Sequence, residues 1–143
     1  MQQLYFRNSF VDMYYDLDLN LGKAVWNGKL VGAEFREVTL MCLEMLDRFE
    51  LTRWLGDNRN MKPISPEDLQ WSLEVFVPKL LCGPLLRMAT LPSKYEENRQ
   101  AVNMLMSKSH DLDNSLELRD FQNEEEAMAW LLQEAPSVSK ITP

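Results

Sequence analysis

The sequence predicts a single α/β domain in which a mixed β-sheet is covered by about four helices. Apolar and polar residues alternate over residues 11–17, as they do in a half-buried strand. Over residues 35–49 apolar residues instead recur at steps of three and four, as they do along one face of a helix. Short apolar segments and amphipathic segments then follow one another along the chain, which is typical of a sheet with helices packed on it.

The length and composition of the chain fit one globular domain. It has 143 residues, of which 45% are hydrophobic and 26% are charged, and these values are close to those of ordinary globular proteins. We therefore expect residues 1–135 to form one domain and residues 136–143 to form a flexible C-terminal tail.

The predicted sheet begins with an antiparallel hairpin or meander. Residues 4–6 form a short strand that reverses at residues 8–9, and residues 11–17 form the second strand. Residues 18–22, Asp-Leu-Asn-Leu-Gly, indicate a turn that leads into a third strand at residues 23–26.

The clearest helix begins near Ala33, and a short buried strand at residues 53–56 follows it. We interpret the polar residues 57–60, Asp-Asn-Arg-Asn, as a loop at the end of that strand, a position that often carries function. The apolar stripe predicted for the helix consists of Phe35, Val38, Cys42, Met45 and Phe49.

Three further helices are predicted in the second half of the chain. Ser65 has a residue type that caps helix starts, and Pro78 is expected to end or kink the helix that follows. Asn123 is expected to cap the last helix, with Glu126 completing a capping box. The other predicted elements are a strand at residues 86–91, a helix at residues 93–106, a surface loop at residues 107–115 and a strand at residues 116–121.

Several segments spread along nearly the whole chain carry a family resemblance. They are Trp26-Asn27-Gly28, residues 54–61, Ser65-Pro66-Glu67-Asp68 with Trp71, Pro78, Phe121, Glu126-Ala127 and Trp130-Leu131. Together they resemble the STAS-like domain proteins of Bacteroidetes, which are similar to the STAS domains of anti-sigma-factor antagonists and of sulfate transporters. The resemblance implies a mixed sheet with helices stacked on it, similar in outline to the CRAL-TRIO lipid-binding fold.

The resemblance does not extend to a phosphorylation switch. In the regulatory STAS proteins, a serine or threonine that directly follows an aspartate at the end of a central strand is phosphorylated. Asp57 fits the aspartate position, but Asn58 and Arg59 follow it and neither carries a hydroxyl group.

The preferred candidate site consists of Asp57, Asn58, Arg59 and Asn60. A carboxylate, two amides and a guanidinium at one end of the sheet favour the binding of a small anionic ligand or of a partner loop. The alternative is that Asp57 and Arg59 pair with one another or with the backbone, because turns select such residues for their geometry. Trp71 is added to the site because it lies off the apolar stripe of its helix, which predicts exposure at a partner surface.

Composition disfavours several classes of partner and location. The net charge of −7 disfavours nucleic acid and anionic membrane surfaces as partners. No apolar run approaches the roughly 18 residues of a membrane helix, and the first residues do not resemble a secretory signal, so we expect a cytoplasmic protein. Cys42 and Cys82 lie in apolar stretches and are interpreted as reduced core residues.

The sequence predicts no catalytic residue, no cofactor site and no metal site. His110 is the only histidine and lies in a predicted polar loop, which disfavours a histidine-based zinc site and a serine triad. Residues 16–22 resemble the start of a calcium loop, but Leu21 and Asn27 occupy the positions where such a loop needs glycine and glutamate. Phosphate-binding glycine loops and nucleophile-elbow motifs are absent from the sequence.

The leading functional hypothesis is a non-enzymatic STAS-like binding or regulatory module that recognises a protein partner, or itself as a homodimer. The alternative is a carrier of a small apolar, lipid-like ligand, which nine methionines, four tryptophans and the likeness to CRAL-TRIO domains favour. An enzyme that uses Asp57 as a general base is the least favoured alternative.

Overall fold

The fold is described from a computed structural model, which covers residues 1–113 and 115–133. The predicted tail at residues 136–143, and the last two residues of the predicted domain, lie outside the described residues. The strands are β1 (Gln3–Arg7), β2 (Val11–Asp16), β3 (Leu21–Gly28), β4 (Arg53–Met61), β5 (Arg87–Leu91) and β6 (Glu117–Asp120).

All six strands belong to one mixed sheet, in which the spatial order is the same as the chain order. β1, β2 and β3 pair antiparallel, whereas β3, β4, β5 and β6 pair parallel. Parallel neighbours need crossover connections, and helices supply them here. The predicted mixed sheet with an N-terminal antiparallel meander is therefore confirmed.

Helices cover both faces of the sheet. They are α1 (Gly32–Phe49), α2 (Pro66–Trp71), a π-helical segment (Ser72–Phe76), α3 (Val77–Leu81), α4 (Glu96–Leu112) and α5 (Glu124–Leu131). The π-helical segment joins α2 and α3 into one continuous helical unit, so there are four helical units, as predicted. None of the helices within the described residues combines the length and the apolar character that a bilayer-spanning helix needs.

Two apolar clusters lie on opposite faces of the sheet. The larger one joins Met13, Ala24 and Trp54 of the sheet to α1 and to the helical unit formed by α2, the π-helical segment and α3. The smaller one joins Leu55 and other sheet residues to α5. We call the face with the larger cluster the three-helix face, because α1, the unit formed by α2, the π-helical segment and α3, and α4 cover it. We call the opposite face the α5 face. Because successive side chains of a strand point to opposite faces, every residue of β4 belongs to one face or the other.

The interpretation of residues 57–60 as a loop is wrong. These residues continue β4, where Asp57 is paired with Val25 of β3 and with Leu91 of β5, and Asn60 is paired with Asn27. β5 pairs with β4 only as far as Asp57, whereas β3 continues beside it to Met61, so backbone pairing on one side extends the strand through these polar residues.

Two other element boundaries differ from the predictions. α4 continues to Leu112, so His110 and most of the predicted loop at residues 107–115 are helical. Of the two outcomes predicted for Pro78, an end of the helix is not found, because the helix continues to Leu81. The Val77 N–H donates to the Ser72 carbonyl, five residues back. In a regular helix, the ring of Pro78 would clash with the carbonyl four residues earlier. We infer that the wider π turn moves this carbonyl away, so that the helix accommodates the proline.

The two cysteines differ in their surroundings. Cys42 is buried in the core, as predicted, and burial raises the pKa of its thiol to about 12. Cys82 is exposed, so its assignment to the core is wrong. It follows α3 directly, at a helix end that the apolar local sequence does not reveal.

Candidate functional site

Asp57 and Arg59 form an ion pair on the α5 face. The Arg59 Nε donates to Asp57 Oδ1 at 2.9 Å and its Nη2 donates to Asp57 Oδ2 at 2.8 Å, which is the two-pronged geometry of strong arginine–carboxylate pairs. Burial opposes ionisation of Asp57, but the hydrogen bonds from Arg59 outweigh it and hold the pKa of that carboxyl below its ordinary value. The pairing of these two residues, considered as the alternative to a binding role, is what the structure shows.

A second ion pair lies close to the first. Lys23 Nζ is 3.1 Å from Glu124 Oε2, at the first turn of α5. The charge of Lys23 also lowers the pKa of Asp57, and the charge of Glu124 also raises the pKa of Arg59. Both cations are therefore neutralised by carboxylates, which weakens this group as a site for an anionic ligand.

The structure does not bring the predicted site residues together. Asp57 and Arg59 project to the α5 face, and Asn58 projects to the three-helix face because side chains alternate along β4. Asn60 is exposed near the end of the strand. Trp71 is half-buried and contacts α1.

Trp71 packs against residues of α1. Its ring meets the ring of Phe35 edge to face, with 6.3 Å between the centroids. The guanidinium carbon of Arg36 lies 5.6 Å from its ring centroid. Trp71 therefore helps to join α2 to α1, and only part of its surface is open to a partner.

A cavity of about 100 Å³ lies between the sheet and the helices of the three-helix face. Its walls are almost entirely apolar and come from β3, β4, β5, β6, α1, the π-helical segment, α3 and α4. Val102, Leu105 and Met106 are the half-buried wall residues of α4. Sequence reasoning did not predict the cavity itself.

Few polar groups reach the cavity. Three wall hydroxyls donate to carbonyls of their own helices: Thr39 to Phe35 at 2.6 Å, Ser72 to Asp68 at 2.8 Å, and Ser109 to Leu105 at 2.9 Å. Their single protons are used, so toward the cavity they can only accept.

Asn58 differs from these hydroxyl groups. Its side chain belongs to the cavity wall, the residue is 7% exposed, and the carboxamide makes no hydrogen bond within the part of the chain that the structure describes. Sequence reasoning selected Asn58 but placed it in the wrong setting. A period of two that continues from Trp54 through Gly56 to Asn58 was the signal that could have placed it on the three-helix face.

No known protein-family model matches this chain, and neither does any curated protein. Among solved structures it is similar to an uncharacterized protein of the DUF3478 family from Shewanella loihica PV-4, whose crystal structure has a SpoIIAA-like, that is STAS-like, fold. The two share 18% sequence identity over 91% of this chain and 93% of that chain, with a TM-score of 0.47. This likeness carries no argument about function, and membership of the Bacteroidetes family and similarity to CRAL-TRIO domains stay predictions.

Proposed function

We propose that this protein is a non-enzymatic binding module that holds a small, largely apolar molecule in the cavity of the three-helix face. The observation that carries the proposal is the cavity of about 100 Å³ with apolar walls. Engineered apolar cavities of roughly 150 Å³ stay dry and bind molecules the size of benzene. The cavity here is of the same order, so a ligand of a few heavy atoms fits it.

The cavity forfeits packing contacts in the unliganded protein. A sealed void of about 100 Å³ would cost about 2 kcal/mol at about 24 cal/mol per Å³, and the cost here is smaller because the cavity is partly open to solvent. Larger side chains at the wall would remove this cost, and interiors are otherwise packed without voids of this size. A ligand that fills the cavity restores the packing contacts that the wall residues lack. The cavity is therefore better explained as a binding site than as a packing defect.

The irregular helix beside the cavity also supports a binding role. Ser72 and Phe76 are the first and last residues of the π-helical segment, and both belong to the cavity wall. Isolated π turns inside helices occur frequently at functional sites. Asp57 is a poor general base because its pKa is lowered, so we do not favour an enzyme that uses this residue.

The proposal is tested by closing the cavity. Toluene serves as the probe, and its binding is measured by the chemical-shift changes of wall methyl groups in NMR spectra. We expect Val102→Phe, which fills the cavity from the wall, to abolish these changes. Met104→Phe is the matched control, because Met104 lies on the same helix, is 51% exposed and is not a wall residue.

Two results would contradict the proposal. Toluene could leave the spectrum of the wild-type protein unchanged, or Val102→Phe could bind it as well as Met104→Phe does. Native mass spectrometry of the protein as isolated from cells adds a second measurement, in which a bound small molecule is expected in the wild type and not in Val102→Phe.

Recognition of a protein partner, or of a second copy of the chain, is the second candidate function. It is favoured by the exposure of Asn60 and of the Arg59 side chain, which is 50% exposed although it is paired with Asp57. We expect Arg59→Ala and Asn60→Ala to lower the affinity for any partner that the wild-type protein binds. A partner bound equally by both variants would exclude this end of β4 from the interface.

A further inference from the structure

Trp54, Gly56 and Asn58 form one side of β4 on the three-helix face, and all three are cavity-wall residues. Gly56 has no side chain, so the space between the indole and the carboxamide is open. A Cβ atom built on Gly56 would lie 3.4 Å from Trp54 Nε1 and 3.7 Å from Asn58 Oδ1. Both polar groups therefore border the same small space, which we call the polar corner.

The polar groups of this corner lack partners. Trp54 is 6% exposed and Asn58 is 7% exposed. Within residues 1–113 and 115–133, neither the indole N–H nor the carboxamide takes part in a hydrogen bond, and neither is among the fully buried unpaired atoms, which are Arg36 Nε, Asp68 Oδ1 and Thr90 Oγ1. The polar atoms of Trp54 and Asn58 therefore keep some exposure, and a group that enters the cavity can pair with them.

Another buried asparagine shows that the fold can pair such a side chain. Asn98 is completely buried, its Oδ1 accepts from the Ile64 N–H at 3.2 Å, and its Nδ2 donates to the Met61 carbonyl at 3.4 Å. Asn58 has no equivalent, because the space in front of it is the cavity rather than a loop backbone.

The chemistry of the walls restricts the polar group of a ligand. Among the described residues, the wall contains no acid, lysine, arginine or histidine, and the Cys42 thiol is neutral because burial raises its pKa to about 12. An ionised ligand group would be buried without a counter-charge, at a large cost. A hydroxyl, carbonyl or amide group avoids that cost and pairs with Asn58 and Trp54.

We infer that the ligand is an uncharged small molecule with an apolar body and one hydroxyl, carbonyl or amide group that docks in the polar corner. This inference rests on the proposed binding function and adds the chemical class of the ligand. The Trp54 N–H donates a hydrogen bond to the oxygen of that group. The Asn58 Oδ1 accepts a hydrogen bond from an O–H or N–H of the ligand, or the Asn58 Nδ2 donates a second hydrogen bond to it.

The test compares three probes of similar shape, which are toluene, phenol and benzoate. Affinities are measured by NMR titration of the wild-type protein, with the indole N–H resonance of Trp54 as the local reporter. We expect phenol to bind about tenfold more tightly than toluene, as one or two added hydrogen bonds allow. Benzoate is expected not to bind.

Substitutions test which residues cause the preference for phenol over toluene. Asn58→Leu keeps the branching of the side chain without its polar atoms, so toluene is expected to bind while the preference for phenol disappears. Gly56→Ala places a methyl group in the polar corner and is expected to weaken phenol more than toluene. Asn103→Leu is the control, because Asn103 is an exposed residue of α4 outside the cavity wall and its loss leaves the preference unchanged.

The outcomes separate this inference from the function on which it rests. Equal binding of toluene and phenol, or an unchanged preference in Asn58→Leu, would overturn the polar corner while the cavity remains a binding site. Binding of none of the three probes, with only water in the cavity, would overturn the proposed function and this inference with it. Tight binding of benzoate would show that the ligand class is wrong.

Discussion

Replacing Asn58 with leucine should raise the free energy of unfolding, although it changes a buried residue of the central strand. Asn58 as a whole residue is 7% exposed, and its carboxamide borders the cavity and makes no hydrogen bond within the described part of the chain. A fully buried polar group without a partner costs about 1–3 kcal/mol, and because this carboxamide keeps some exposure the low end of that range applies. Leucine has the same branching, no polar atoms and apolar neighbours around the cavity, so we expect the variant to gain about 1 kcal/mol and to melt about 3 °C higher.

The matched control is the same substitution at Asn98. Here leucine would remove two hydrogen bonds and leave the Ile64 N–H and the Met61 carbonyl without this partner. We expect Asn98→Leu to lose about 1–3 kcal/mol. Urea unfolding followed by tryptophan fluorescence measures both variants without ligand. If Asn58→Leu loses as much stability as Asn98→Leu, then Asn58 is paired in the folded protein and the reasoning for the polar corner fails.

Three further predictions concern the core, the ion pair and the thiols. Gly22→Ala places a Cβ atom 2.9 Å from Trp54 Cε3, so urea unfolding should show a loss of about 1–3 kcal/mol; a variant of unchanged stability would contradict this packing. Because the pKa of Asp57 is lowered in the folded state, its contribution is complete above the ordinary value of 3.8 and is lost as the pH falls below it. Asp57→Asn should therefore flatten the fall in stability with acid, and a parallel pH profile would count against the pairing. A thiol reagent at about pH 8 should label only Cys82 in the native protein and also Cys42 after unfolding, since burial raises the pKa of Cys42 to about 12; rapid native labelling of both would refute it.

Much of the fold follows from local sequence. The alternation over residues 11–17 and the helical stripe from Phe35 to Phe49 correspond to β2 and α1. The predicted caps are also present, since Ser65 Oγ accepts from the Asp68 N–H at 3.3 Å and Asn123 Oδ1 accepts from the Glu126 N–H at 2.9 Å. Periodicity and capping depend on residues only a few positions apart, so a single sequence contains the information.

The candidate site could be predicted only in part. Residues 57–60 were selected because they are polar, and their polarity was interpreted as a loop. Whether such residues end a strand depends on β3, which is distant in sequence and pairs with β4 as far as Met61, whereas β5 pairs with it only up to Asp57. Trp71 was likewise expected at a surface, and the ring of Phe35 from another helix half-covers it.

Local sequence specifies the α/β class, most of the strand and helix positions and the helix starts, because these arise from interactions between near neighbours in the chain. That Asn58 faces an apolar cavity, and that Asp57 lies on the opposite side of the sheet, follows from tertiary packing. That outcome depends on how α1, the π-helical segment and α4, which come from separate parts of the chain, meet over β4. The volume they leave unfilled is set by packing across the whole domain, and no short stretch of sequence specifies it.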